Sequence, residues 1–212
     1  MKRLTDVVVA SVALVLLSPV LAAVALSVRL VMGRPVLFRQ PRPGLGGAVF
    51  EILKFRTMRP PLAPGREFAD HDERIPPLGR FLRRTSLDEL PELLNVLRGE
   101  MSLVGPRPLL VDYLDRYTPE QARRHDVRPG ITGLAQVSGR NALDWEQTFA
   151  LDVRYVDTRS WWMDVRILLL TLVRLLDPRG AGADAAGITP MFLGSRTPPA
   201  AATDAGTPGT TR

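Results

Sequence analysis

The chain has no cysteine in its 212 residues. That excludes disulfides, a thiolate nucleophile and any zinc site built on sulfur, and it leaves the compartment open. Histidine is nearly as scarce, and His71 and His125 stand too far apart to suggest a metal cluster. Lysine occurs only at Lys2 and Lys54, with arginine used everywhere else. A lysine kept at position 54 in such a chain suggests a place that wants a compact ammonium. Long apolar runs are also few: residues 7–28, about 22 in all, form the one charge-free stretch long enough to span a bilayer. The net charge of +6 and a pI near 10.6 favour anionic partners such as phosphates, nucleotides or acidic lipid. The basic residues are not gathered into one recognition helix or tail, so nucleic acid is not expected. The length suits one compact domain with an anchor or a tail.

The most informative stretch is Arg83-Arg84-Thr85-Ser86-Leu87-Asp88-Glu89-Leu90-Pro91-Glu92-Leu93-Leu94-Asn95-Val96-Leu97-Arg98-Gly99. It reads as a short helix. Asp88 stands at the N-cap, Pro91 lies in the first turn, and Gly99 is at the stop position. Leu90, Leu93, Leu94 and Leu97 recur at helical spacing and make one face apolar. Ser86 and Glu89 also have capping-box spacing, so a purely structural cap fits the same residues. In the other reading, adjacent carboxylates at the positive end of a helix, next to Arg83 and Arg84, sit where phosphate docks.

Three readings fit residues 7–28. Lys2-Arg3 ahead of the apolar run and Ala23-Val24-Ala25 at its end suit a secretory signal peptide. The length suits a simple spanning helix. Ser18-Pro19 near the middle suits a bent, re-entrant helix whose arms, roughly 16 Å each, anchor without crossing. Both flanks are basic, with Lys2 and Arg3 before and Arg29, Arg34, Arg39 and Arg42 after. A hairpin leaves both on one face; a span must translocate one of them.

Residues 35–40 and 49–58 are β-like runs joined by a turn-rich link, as in a hairpin. Alternation puts Lys54 and Arg56 on one face. Residues 59–79, rich in proline, glycine and charge, read as a long loop of the covering kind. Asp70-His71-Asp72-Glu73-Arg74 within it reads as a solvated charge run. The Gly105-Pro106-Arg107-Pro108 turn after a short apolar strand fixes the direction of Arg107, the natural bidentate partner of phosphate. Residues 112–125 read as helix, 128–141 as a strand between turns bearing Arg128 and Arg140, and 144–157 as helix. Trp161-Trp162 before residues 167–173 suits a helix in the membrane interface or a buried core helix. Beyond Asp184 the chain becomes an Ala/Thr/Pro/Gly tail expected to be disordered.

With Ser18-Pro19, Lys54-Phe55-Arg56-Thr57-Met58, Thr85-Ser86-Leu87-Asp88-Glu89-Leu90-Pro91, Val104-Gly105-Pro106-Arg107-Pro108 and Arg128-Pro129-Gly130-Ile131-Thr132-Gly133 in this order, the sequence resembles the bacterial sugar transferases. These are small monotopic polyprenyl-phosphate phosphoglycosyl transferases. The resemblance runs over about residues 1–180. With one apolar segment the chain looks like the minimal form, and Leu134 stands where relatives often carry an aromatic residue. The resemblance implies an α/β (α+β) fold: a helix-rich compact domain with a short β-hairpin on the cytoplasmic face of the bacterial inner membrane. It implies a re-entrant anchor at 1–30 and a catalytic domain at 31–184, which the low-complexity tail at 185–212 follows. It implies transfer of a sugar 1-phosphate from a UDP-sugar to undecaprenyl phosphate with release of UMP. In that reaction Asp88 is the nucleophile, Glu89 assists, and Mg²⁺ is held by Asp88 and Glu89. Arg107 is expected to hold a phosphate, followed by Lys54, Arg56, Arg128 and Arg140. A cytosolic nucleotide sugar selects the hairpin reading of the anchor. Membrane lipids and downstream glycosyltransferases are the further expected partners, and an inactive membrane-bound scaffold or regulator is the alternative.

Overall fold

The computed structural model describes residues 1–60, 73–139, 143–176 and 191–195. The apolar N-terminal run forms two helices, α1 (Lys2–Leu16) and α2 (Ser18–Met32), bent by 64° about Leu17. The cause is local. Pro19 has no N–H to give the Val15 carbonyl one turn back, and the Ser18 hydroxyl donates to that carbonyl instead, at 2.8 Å. Among the described residues no single helix is long and apolar enough to cross a membrane; this bent pair meets the same test of length and composition together.

Both helices pack inward as well as facing out. Val12, Val15, Leu16, Leu26 and Leu30 are exposed, while Ala10 of α1 and Val24 and Val28 of α2 are buried. Strands β1 (Leu37–Pro43) and β2 (Val49–Phe55) form the expected antiparallel hairpin, Leu37 opposite Phe55 and Pro43 opposite Val49. Helix α3 (Pro77–Arg84) and α2 close over Phe55 and Leu82. Helix α4 (Glu92–Arg98) lies between α1 and β2, with Val96 fully buried beside Ala10 and Met101. Asn95, also fully buried, joins α4 to the hairpin. Its Oδ1 accepts from the Leu53 N–H at 3.0 Å, and its Nδ2 donates to the Glu51 carbonyl at 2.7 Å. It thus supplies hydrogen bonds that a further strand would give the β2 edge.

The other layer is built on β3 (Ser102–Val104) and β4 (Gly130–Thr132), a parallel pair in which Ser102 faces Gly130. A Cβ at Gly130 would lie 2.1 Å from the Gly105 nitrogen, and one at Gly133 would lie 2.2 Å from the Gly105 carbonyl oxygen. The turn carrying Arg107 and the Arg128–Gly133 motif therefore interlock backbone to backbone, which only glycine permits. Helices α5 (Pro119–Ala122), α6 (Leu134–Ser138), α7 (Trp145–Thr158) and α8 (Trp161–Leu176) complete the mixed, helix-dominated architecture.

Two expected elements come out differently. Residues 112–125 form two short 3₁₀ turns around α5, because Pro119 begins a new helix under a Thr118–Gln121 capping box. The expected strand over 128–141 ends at Thr132 and gives way to α6, as Gly133 turns against Gly105. Of the expected tail, most lies outside the described residues, but Phe192 is buried against Tyr113 and Phe149.

Candidate active site

Asp88 and Glu89 lie in a single 3₁₀ turn, Leu87–Glu89, between α3 and α4, so Asp88 is not the helix N-cap the sequence suggests. The reason is Pro91. Without an N–H there, the Leu87 carbonyl is taken by the Leu90 N–H, and tight i→i+3 bonds run on to Leu94. No capping box forms, and the turn is entered through Ser86 in the left-handed region, with φ 54°. A non-glycine residue there carries strain of about 1 kcal/mol.

The two carboxylates are treated very differently. Glu89 accepts on one oxygen, Oε1, from both Lys54 Nζ and Arg107 Nη2, each at 2.7 Å. Burial works to raise its pKa, but Arg107 and Lys54 outweigh that and hold the carboxyl well below the usual range. Asp88 has no hydrogen bond or ion pair among the described residues. Burial first, then the Glu89 charge, raise its pKa to about 6, against the opposing pull of Lys54, Arg83 and Arg107. It is an unengaged carboxylate, disfavoured by its surroundings and ringed by cations.

Around this pair stand residues from four directions. Lys54 comes from β2 and also reaches Glu92 Oε1 at 3.1 Å. Glu92 is almost fully buried at the start of α4, and its burial and the Glu89 charge raise its pKa. Arg83, from the last turn of α3, donates to the Thr57 hydroxyl at 2.9 Å and adds to the field at Asp88. Arg107 keeps its side chain 46% exposed while held by Glu89, so it still has donors to offer an incoming group. Its own carbonyl accepts from Arg124 at 2.7 Å, and Arg124 is locked to Asp152 at 2.7 Å in a fully buried pair.

Of the residues marked out in the sequence, Asp88, Glu89, Lys54 and Arg107 come together. Arg56 does not join them. It donates to the Met32 and Arg34 carbonyls behind the hairpin, because β2 ends at Phe55 and the alternation ends with it. Arg128 donates to the Gly99 carbonyl at 2.8 Å and, with Arg3 on the Val96 and Leu97 carbonyls, closes the C-terminal end of α4. Arg140 lies outside the described residues. Sequence reading missed Glu92 and Arg124. Glu92 shares the motif of the dyad, and its spacing one helical turn from Asp88 is a signal that was there to find; nothing local marks Arg124.

The site suits a divalent ion of the magnesium type. Among the described residues the Asp88 oxygens and Glu89 Oε2 have no protein hydrogen-bond partner, and they are hard oxygen donors at a place where burial leaves the Asp88 charge poorly compensated. Among the described residues no group of three or more acidic or histidine side chains forms a full protein cage. Such an ion would therefore draw its remaining ligands from phosphate and water.

An unpaired carboxylate beside one clamped by a lysine and an arginine is an arrangement that suits group transfer on a phosphorylated substrate. The family described as bacterial sugar transferase matches residues 1–178, and the chain belongs to that family. It is a transferase. It is similar to the uncharacterized sugar transferase EpsL of Bacillus subtilis, at 49% identity over 180 residues, covering 85% of this chain and 89% of that one. It is similar to the UDP-glucose:undecaprenyl-phosphate glucose-1-phosphate transferase of Caulobacter vibrioides at 47% identity, over 82% of this chain and 69% of that one. The protein of the same name from Escherichia coli is 41% identical over 82% of this chain, which spans 40% of that longer protein.

Proposed function

We propose that the protein is a phosphoglycosyl transferase that moves a sugar 1-phosphate from a UDP-sugar to a polyprenyl phosphate such as undecaprenyl phosphate. The names of the Caulobacter and Escherichia relatives support the substrate classes. The observation that carries the mechanism is the contrast within the dyad: Glu89 pinned by two cations, Asp88 unpaired and raised to about 6.

In this reading Asp88 is the nucleophile. At neutral pH it is mostly ionised, yet poorly stabilised, and it gains by sharing its charge with phosphorus. An Asp88 oxygen bonds to the sugar-bearing phosphorus, the bond from that phosphorus to the bridging oxygen breaks, and UMP leaves with the electron pair. The polyprenyl phosphate then attacks the same phosphorus and releases Asp88. Arg107, Lys54 and Arg83 bear on the charge spread over the phosphate oxygens, which is most of what such a transfer demands. Glu89 keeps Lys54 and Arg107 turned toward that place. Mg²⁺, held by Asp88 and Glu89, supplies further neutralisation of the diphosphate when bound.

The acceptor phosphate lies at headgroup depth, so the protein is read as monotopic on the cytoplasmic face of the bacterial inner membrane. The bent α1–α2 pair supports this, as does α8, with Trp162 74% exposed beside exposed Leu169, Leu172 and Val173. The test is donor alone. Purified enzyme mixed with a panel of UDP-sugars should release about one equivalent of UMP per site and gain the mass of a phosphosugar on Asp88. Asp88→Asn should do neither. UMP release that requires the lipid acceptor, with no adduct, would sink the covalent route.

A further inference from the structure

Arg42, on β1, has no place in the dyad's hydrogen bonds and is unused by the reaction described so far. Its Nη2 donates to Gln40 Oε1 at 2.6 Å, and its Nη1 reaches the Pro108 carbonyl at 3.5 Å. Its Nε is buried without an acceptor. Among the described residues no carboxylate forms an ion pair with it. A partly buried guanidinium is thus held against the turn that carries Arg107 by neutral oxygens alone. Burial, and then the like charge of Arg107, lower its pKa to about 10. Cations taken out of water are ordinarily paired, and this one is not.

Arg107 is the shared neighbour. Its charge bears on both Asp88 and Arg42, and the Arg42 guanidinium lies against the Pro108 carbonyl of the same turn, with Glu92 as the strongest opposing charge acting on it. A diphosphate that meets Asp88 with one phosphorus and Arg107 with the other therefore meets a turn that Arg42 also lies against. We infer that Arg42 and Arg107 form an anion subsite beside the dyad that takes the phosphate of the departing nucleoside monophosphate, an assignment that rests on the transfer reaction proposed above. When Asp88 bonds to the sugar-bearing phosphorus, the electron pair of the breaking P–O bond stays on the bridging oxygen. The departing phosphate gains one negative charge in that step. An arginine with no counterion is placed to receive it, and its planar fork suits a phosphate edge better than a lysine would.

The experiment uses the full chain in detergent micelles and measures binding, so that it does not depend on turnover. UMP and uridine are titrated into wild type, Arg42→Gln and Arg42→Lys by calorimetry, with a thermal melt of each. Arg42→Gln should weaken UMP binding by about tenfold or more, the loss expected for a hydrogen bond to a charged group, and leave uridine binding unchanged. Arg42→Lys should recover part of the loss, because it restores the charge without the fork. Arg42→Gln that melts like wild type and binds UMP equally well overturns the assignment. So does an equal loss of UMP and uridine, which places the contact off the phosphate, and so does a matching collapse of the melt in both variants, which makes Arg42 a structural tie. If wild type binds neither UMP nor any UDP-sugar, the underlying transfer reading fails first.

Discussion

Arg124 donates to the main-chain carbonyl of Arg107 at 2.7 Å, so a fully buried residue sets the position of an exposed one in the active site. Arg124 is itself fixed by two bonds to Asp152 of α7 and one to the Tyr117 hydroxyl. Removing one partner of such a buried pair strands the other's charge and costs roughly 3–5 kcal/mol. Asp152→Asn should therefore lower the melting temperature strongly. The joint change Arg124→Met with Asp152→Leu should recover stability, while transfer activity stays depressed because Arg107 has lost its brace. Melting curves and rates on the same preparations check both.

The raised pKa of Asp88 gives two linked expectations. Transfer should fall on the acid side with a limb near pH 6, because the nucleophile must be ionised. Stability runs the other way. The folded state holds the Asp88 proton more tightly than the unfolded chain does, so this group's contribution declines as pH rises from about 4 through about 6. Asp88→Asn should thus melt higher than wild type at pH 8 and about equal to it at pH 3.5, with no activity at either.

Glu89→Gln should cost far more than the loss of one charge. Lys54 and Arg107 converge on that side chain, and both would be left without it. We expect a fall in activity of about a hundredfold or more, since the cations no longer face the phosphate. Glu89→Asp, which keeps the charge and shortens the reach, should restore part of it. Steady-state rates with saturating donor measure the difference.

Ser86 takes a left-handed backbone at φ 54° as the chain enters the dyad turn. Ser86→Gly should stabilise the fold by up to about 1 kcal/mol, and Ser86→Val should destabilise it by more, since a β-branched side chain tolerates that region poorly. Chemical denaturation of the two variants reads out the sign.

Pro19→Ala restores the missing N–H at the bend and should favour a straight N-terminal helix. Because the chain lacks cysteine, a single Cys introduced near Lys2 is a unique thiol probe. Labelling with an impermeant reagent in intact cells should find it protected in the Pro19 form and reactive in a fraction of the Pro19→Ala population. Equal protection in both would separate the bend from the topology.

Much of this site could be read in the chain because its parts are local. Asp88 and Glu89 are neighbours, Arg107 is held between prolines, and Lys54 was conspicuous as a lysine among arginines. The hairpin and the Ser18-Pro19 bend follow from turn chemistry in the same way. What escaped depends on packing. Arg56 and Arg128 look as basic as Arg107 yet serve main-chain carbonyls, which no motif distinguishes. Arg124 matters only because the chain returns it beneath the Gly105–Pro108 turn. The Asp88 N-cap failed for a local reason that outweighed pattern: one proline moved the helix start to Glu92 and left the dyad in a tighter turn.

The first helix is part of the core. The Asp6 carboxylate is buried where it takes the Ser102 hydroxyl at 2.8 Å and the Leu103 N–H at 3.2 Å, and Ala10 is sealed in the main core. Cutting away the greasy segment to obtain a soluble enzyme would therefore strip one wall from the interior and leave β3 with bare donors. Solubilisation by surface redesign of the outward valines and leucines, with Asp6 and Ala10 kept, is the route the architecture favours.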